Sequence, residues 1–119
     1  MTERQSSALL VQHVGSIRVI DFTDETLIDQ AAIAQIGREL EELAAQMDDP
    51  RLIINFATVK HISSAMLGVL VSLHKKITAR QGHLALAAIR PEVMEVFTMT
   101  GLDALLIIYR NTDEALAHS

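Results

Sequence analysis

The sequence predicts a single α/β domain: a mixed central sheet with an N-terminal hairpin and parallel strands, flanked by helices, in the order β-β-α-β-α-β-α-β-α. Three observations lead there. The apolar runs Leu52–Ala57 and His83–Ile89 are nearly continuous rather than alternating, the pattern of strands buried on both faces. About 25 residues with a helical stretch separate them, enough for the crossover connection that makes two strands parallel. Ile28, Ala32, Ile36, Leu40, Leu43 and Met47 recur at steps of three and four, which marks a helix with one side buried.

At 119 residues the chain is one domain that can bury a core without metals or disulfides. Half of it is hydrophobic and only 3% aromatic, so that core is aliphatic. The absence of cysteine fits a reducing compartment, and cytoplasm is the expected location. The N-terminus has no basic segment followed by a long apolar one, and no apolar run approaches the ~18 residues of a membrane span, so a soluble protein is expected. With a net charge of −5 and scattered basic residues, the chain lacks the concentrated basic face that nucleic acid requires. The one cluster, Lys75, Lys76 and Arg80, reads as a helix C-terminus complementing its own dipole.

Taken in order, residues 1–7 are polar and expected to be a disordered tail, with the domain spanning 8–118. Ala8–Val14, the turn Gly15-Ser16 and Ile17–Phe22 read as a β-hairpin. Thr23–Thr26 breaks the pattern before the first helix, whose polar face carries Gln30, Arg38, Glu41 and Glu42. Asp29 falls in its first turn, where a carboxylate meets favourable amide dipoles, and Asp48-Asp49-Pro50 ends it. After the strand from Leu52, a second helix is expected from Ser64 to Ala79, stopped by Gln81-Gly82. Pro91 opens a third helix with Val93, Met94, Phe97 and Met99 as its apolar residues, closed by Gly101. Leu105–Tyr109 reads as a last strand, and Thr112 caps a terminal turn, Asp113–Ala117.

The candidate functional stretch is Asn55–Gly68, which leaves a buried strand and places two hydroxyls where an apolar helix begins. Ser63 and Ser64 are both good N-caps, since a serine oxygen accepts from the orphan amides of a first turn. Met66, Val69 and Leu73 share one side of that helix and, with Ala65, are expected to face outward; Leu67, Leu70, Val71 and His74 are expected on the sheet. The alternative is that neighbouring helices cover both sides. Asn55 in a buried strand needs hydrogen-bond partners and is expected to tie the following loop. His61 beside the serines suggests a Ser/His nucleophile, a small hydrolase, but nothing supplies a Gly-x-Ser-x-Gly elbow, an oxyanion hole or an acidic orienting residue, so no enzyme is expected. His13, His74, His83 and His118 show no metal-ligand spacing, and the glycines form neither a Walker loop nor a dinucleotide fingerprint, so neither metal nor cofactor is expected.

Three local patterns resemble the STAS domain, the fold of bacterial anti-sigma factor antagonists. Leu52-Ile-Ile-Asn-Phe56 followed by Ile62-Ser-Ser-Ala-Met-Leu-Gly-Val69 looks like that family's strand, loop and Asp-Ser-Ser/Thr-Gly-Leu-Gly signature. Ile89-Arg-Pro-Glu-Val-Met-Glu-Val-Phe97 leading into Met99-Thr-Gly-Leu102 is the second, and Ile28-Asp29 opening the first helix is the third. Aligned on Leu67-Gly68, the family's phospho-acceptor hydroxyl falls on Ser64, with Ser63 the second choice; Ser63 stands where the family has Asp, and Met66 where it has Gly. Asp29 matches a family carboxylate near the phospho-site.

The resemblance implies a partner-switching antagonist that binds an anti-sigma factor, typically a serine kinase, when Ser64 is unphosphorylated, and is released when it is phosphorylated. A separate serine phosphatase reverses the mark. The implied contact residues are Asp29, His61, Ser63, Ser64, Ala65, Met66, Val69 and Leu73. The alternative within the same resemblance is a constitutive accessory subunit of a transporter or sensor complex, which the replacement of Asp by Ser63 favours. An outward apolar helix face serves self-association as well as partner binding, so the oligomeric state stays open.

Overall fold

Twelve elements follow one another in the computed structural model, which describes residues 9–118: β1 (Leu9–Val14), β2 (Ile17–Phe22), β3 (Thr26–Leu27), α1 (Gln30–Ala45), β4 (Arg51–Asn55), β5 (His61–Ile62), α2 (Ser64–Ala79), β6 (His83–Ala87), α3 (Pro91–Met99), α4 (Leu102–Leu105), β7 (Ile107–Tyr109) and α5 (Thr112–Ala117). The tail expected over residues 1–7 lies outside the described residues. β1 and β2 form the antiparallel hairpin, closed by a two-residue turn in which Gly15 takes a φ of 63° that a side chain would disfavour. The main sheet runs β1-β2-β4-β6-β7, and every pairing after the hairpin is parallel.

One face of this sheet carries the main core. Ile20, Phe22, Leu52, Ile54, Leu84 and Leu86 pack under α1, α2 and α3, with Phe56 edge-on between Phe22 (5.3 Å) and Phe97 (6.0 Å). The opposite face holds a smaller cluster, Val19, Ile53 and Ala87, covered by Ala115 and Leu116 of α5. Among the described residues no helix is long and apolar enough to cross a membrane, and no group of three His, Cys, Asp or Glu is placed to hold a metal ion.

The buried side of α1 is Ile33, Ile36, Leu40 and Ala44, with Leu43 and Met47 packed beside them. Ala32 is exposed, and Ile28, expected to begin the stripe, is 52% exposed because it precedes the N-cap Asp29 and never enters the helix. α3 ends in a highly exposed Met99, and the apolar run after Gly101 first makes the short helix α4, so β7 starts at Ile107 rather than Leu105. α5 begins at Thr112, one residue before the expected turn, because the cap is Asn111 rather than Thr112; the Asn111 side chain accepts from the Glu114 N–H at 2.8 Å.

α1 and α2 lie against one another. A Cβ on Gly37 would sit 3.4 Å from Val69 Cγ2, so the small residue sets how closely the helices approach. Further along, Lys76 Nζ meets Glu41 at 2.9 Å. At the far end the Arg80 guanidinium donates to the Ala44 carbonyl at 2.7 Å and to the Met47 carbonyl. Those carbonyls belong to the terminal turn of α1 and the residues just beyond it; the Ala44 carbonyl also accepts the Met47 N–H at 3.2 Å, so the guanidinium at the end of α2 supplements the backbone cap of α1.

Candidate functional site

A two-stranded parallel ribbon builds the site. β3 pairs with β5, Thr26 opposite His61 and Leu27 opposite Ile62, and the pairing continues through the Ser63 N–H, which donates to the Leu27 carbonyl at 3.0 Å. Upstream, the Lys60 and His61 N–H groups both donate to the Glu25 carbonyl, at 2.7 and 3.2 Å. The ribbon stands on backbone pairing and brings two segments distant in sequence to the same end of the molecule. Asp29 and Ser64 each lie two residues past the paired Leu27 and Ile62, so the N-termini of α1 and α2 emerge side by side.

The loop feeding this ribbon is fixed. Asn55 Nδ2 donates to Asp21 Oδ1 at 2.7 Å, while Asn55 Oδ1 accepts from the Ala57 N–H at 3.0 Å, which is the loop-tying role expected of it. Arg90 Nε donates to the Ala57 carbonyl at 2.9 Å, and the Phe56 N–H reaches the Ala87 carbonyl at 2.8 Å. Val59 is fully buried under the same loop.

The two helix caps differ in kind. Asp29 caps α1 through its side chain, Oδ2 accepting from the Ala32 N–H at 2.8 Å. Ser63 occupies the N-cap position of α2 with extended backbone angles, yet only its carbonyl works as a cap, accepting from the Met66 and Leu67 N–H groups at 3.1 and 3.3 Å. Its hydroxyl is buried and makes no hydrogen bond. Ser64 is the first helical residue and exposed, so capping does not account for its hydroxyl.

The outward face expected for α2 needs correction. Met66 and Leu73 are 0% and 1% exposed, and Val69 is half-buried against Gly37 of α1. The helix is held between the sheet and α1, so Met66 and Leu73 join Leu67, Leu70 and Ile77 in the core. What α2 exposes near the serines is Ser64, Ala65 and Gly68, a ridge of small side chains. The apolar group exposed beside it is Ile28, adjoining the Leu27 carbonyl that Ser63 bonds. Sequence periodicity hid this residue, because its spacing from Ala32 assigned it to the buried stripe.

His61 is exposed, its Nδ1 3.4 Å from Thr26 Oγ1. Around the ridge the charges are mostly negative: Asp24, Glu25 and Asp29 are exposed, with Lys60 paired to Glu25 at 3.6 Å. The arrangement offers an unencumbered hydroxyl at the positive end of a 16-residue helix, on a rim that carries carboxylates.

Comparison with known proteins bears on this arrangement. The family model described as STAS domain matches residues 8–115. BtrV of Bordetella bronchiseptica, named as an anti-sigma factor antagonist, is 33% identical over 78 residues, which cover 64% of this chain and 67% of BtrV. The anti-sigma-factor antagonist (STAS) domain protein of Planctomyces limnophilus superposes with a TM-score of 0.81 at 25% identity, covering 96% of this chain and 98% of that one. The anti-sigma factor antagonist SpoIIAA in its unphosphorylated form gives a TM-score of 0.78 at 23% identity, covering 93% and 95%.

Proposed function

Because this chain belongs to the STAS domain family, we propose that it is a non-enzymatic anti-sigma factor antagonist of the cytoplasm that works by partner switching. In its unphosphorylated form it captures an anti-sigma factor that is itself a serine kinase. Phosphorylation of Ser64 releases that partner, and a separate phosphatase restores binding. The observation that carries the reading is the exposed Ser64 hydroxyl at the first position of α2, where no structural task holds it.

The chemistry follows from the surroundings of Ser64. The ridge of Ser64, Ala65 and Gly68 is low enough for a partner's backbone to approach closely, and Ile28 supplies an apolar contact at its edge. Asp29, His61 and the Ser63 backbone complete the contact surface, and Val69 borders it. A phosphate on Ser64 adds roughly −1.5 to −2 charges. Free amides in the first turn of α2 stabilise that charge within the chain, whereas an acidic or apolar partner surface is repelled or left with a costly desolvation. The switch acts at the interface with little refolding, since Met66, Leu70 and Leu73 anchor α2 in the core.

The second reading, a constitutive accessory subunit of a transporter or sensor complex, is favoured by Ser63 standing where the family has Asp. A pull-down from the source cell with wild type, Ser64→Ala and Ser64→Asp separates the two, with intact-mass measurement of the recovered wild type. Partner switching is supported when a kinase is retained by wild type and Ser64→Ala, lost with Ser64→Asp, and part of the wild type carries one added phosphate. Equal recovery of membrane-complex subunits by all three forms, without added mass, selects the accessory-subunit reading.

A further inference from the structure

The outer strand of the sheet is built unlike an edge that must stay alone. Edge strands of natural proteins are kept short, bulged, or marked with Lys or Pro, because their unpaired backbone groups template further pairing. At the other edge, β7 follows this rule with three residues and Arg110 directly after it. β1 does not. It runs for six residues, Leu-Leu-Val-Gln-His-Val, with no charged residue, no proline and an uninterrupted register against β2.

The hairpin register shows which of its groups face outward. In a hairpin closed by two residues the closing pair, Val14 and Ile17, exchanges both hydrogen bonds, and alternate pairs do the same, so Leu10, Gln12 and Val14 spend their backbone groups on β2. The N–H and C=O groups of Val11 and His13 point away from β2, toward the edge on which no described strand pairs. On the sheet face that carries α5, Leu10 and Val14 are 41% and 42% exposed, placed symmetrically about an exposed Gln12.

We propose that β1 is a self-association edge, on which a second copy of this chain docks by antiparallel pairing centred on Gln12. In that register Val11 lies opposite His13 of the second copy, so the outward backbone groups form hydrogen-bonded pairs. Leu10 meets the second copy's Val14 and Val14 its Leu10, which covers the apolar side chains that β1 leaves exposed. Gln12 faces Gln12 at the two-fold axis, where two neutral amides both donate and accept. No other register of this strand satisfies backbone and side chains together. A pairing centred on Val11 sets Leu10 against Gln12 and leaves Val14 without a partner on β1. The absence of charge on β1 removes the like-charge conflict that a two-fold axis otherwise creates. The contact involves one strand per copy and belongs to the small, transient class of interfaces, below ~1,200 Å² in total, so the dimer is concentration-dependent.

Sedimentation velocity over a hundred-fold concentration range tests this with the whole chain. Wild type rises from 13.1 kDa toward twice that mass as concentration increases. Gln12→Glu and Gln12→Lys each set like charges at the axis and weaken association ten-fold or more, while an equimolar mixture of the two restores it as a heterodimer. His13→Pro removes one outward N–H without touching the β2 ladder, and it too leaves a monomer. Thermal melts confirm that each variant is folded. A wild type that stays monomeric throughout, a dimer that survives Gln12→Glu and His13→Pro, or a mixture that fails to re-associate overturns the proposal.

Discussion

Replacing Gly82 by alanine puts the packing argument under the most direct strain. Gly82 sits at the junction of α2 and β6, and a Cβ there would lie 2.4 Å from the Pro50 carbonyl oxygen, 2.8 Å from Pro50 Cγ and 2.9 Å from Ile77 Cγ2. The first of these is about 1 Å short of ordinary contact. The clashing atom is backbone, and the same Pro50 carbonyl accepts the His83 N–H at 2.8 Å where β6 begins to pair with β4. Relief therefore separates the start of two central strands. Overpacking of this kind costs about 1–3 kcal/mol and the strained hydrogen bond about 1 more, giving a loss of about 2–4 kcal/mol. At this chain length that corresponds to a fall in Tm of about 8–16 °C. Gly68→Ala is the matched control: a Cβ there meets nothing within 4 Å, so removing glycine from a helix interior raises stability by about 0.5–1 kcal/mol. Thermal and urea melts of both variants read the two signs. A Gly82→Ala protein melting within about 2 °C of wild type would refute the reasoning.

Two further substitutions probe the helix ends and the corrected face of α2. Asp29→Ala removes a formed cap and costs about 1 kcal/mol, Asp29→Asn keeps the cap and costs a few tenths, and Ser63→Ala, whose hydroxyl caps nothing, stays within about 0.5 kcal/mol of wild type; urea titrations rank the three. Met66→Ala and Leu73→Ala each lose about 2–5 kcal/mol by emptying the core; their m-values stay near that of wild type, and a near-neutral effect of either on the denaturation midpoint would return that residue to the surface.

The sequence made legible what side-chain pattern encodes. The bounds of α2, Ser64 to Ala79, follow from an apolar run between a serine pair and Gln81-Gly82, and the structure has the same bounds. The hairpin and the parallel neighbours β4 and β6 were readable from their apolar runs and spacing. The ribbon of β3 and β5 was not, because two residues per strand show no periodicity and the contact is made by backbone groups that every residue carries. The orientation of α2 was misjudged for a related reason. A helix apolar on all sides does not say which sides are covered, and the closeness of α1 at Gly37 was invisible in one dimension. At the candidate site, sequence located Ser63, Ser64 and Asp29 but could not tell the buried hydroxyl from the exposed one, since two adjacent serines at a helix start differ only in the turn of the backbone.

The cap that Arg80 lends to α1 gives the helix pair a closed end and an open one. At the closed end a guanidinium stitches the two helices through the carbonyls of Ala44 and Met47, and Lys76 to Glu41 adds a second stitch one turn inward. The open end is where Asp29 and Ser64 emerge. Open here means accessible rather than loose: the β3–β5 ribbon joins the two helix starts through backbone pairing, so a charge added at Ser64 meets a partner on a fixed frame.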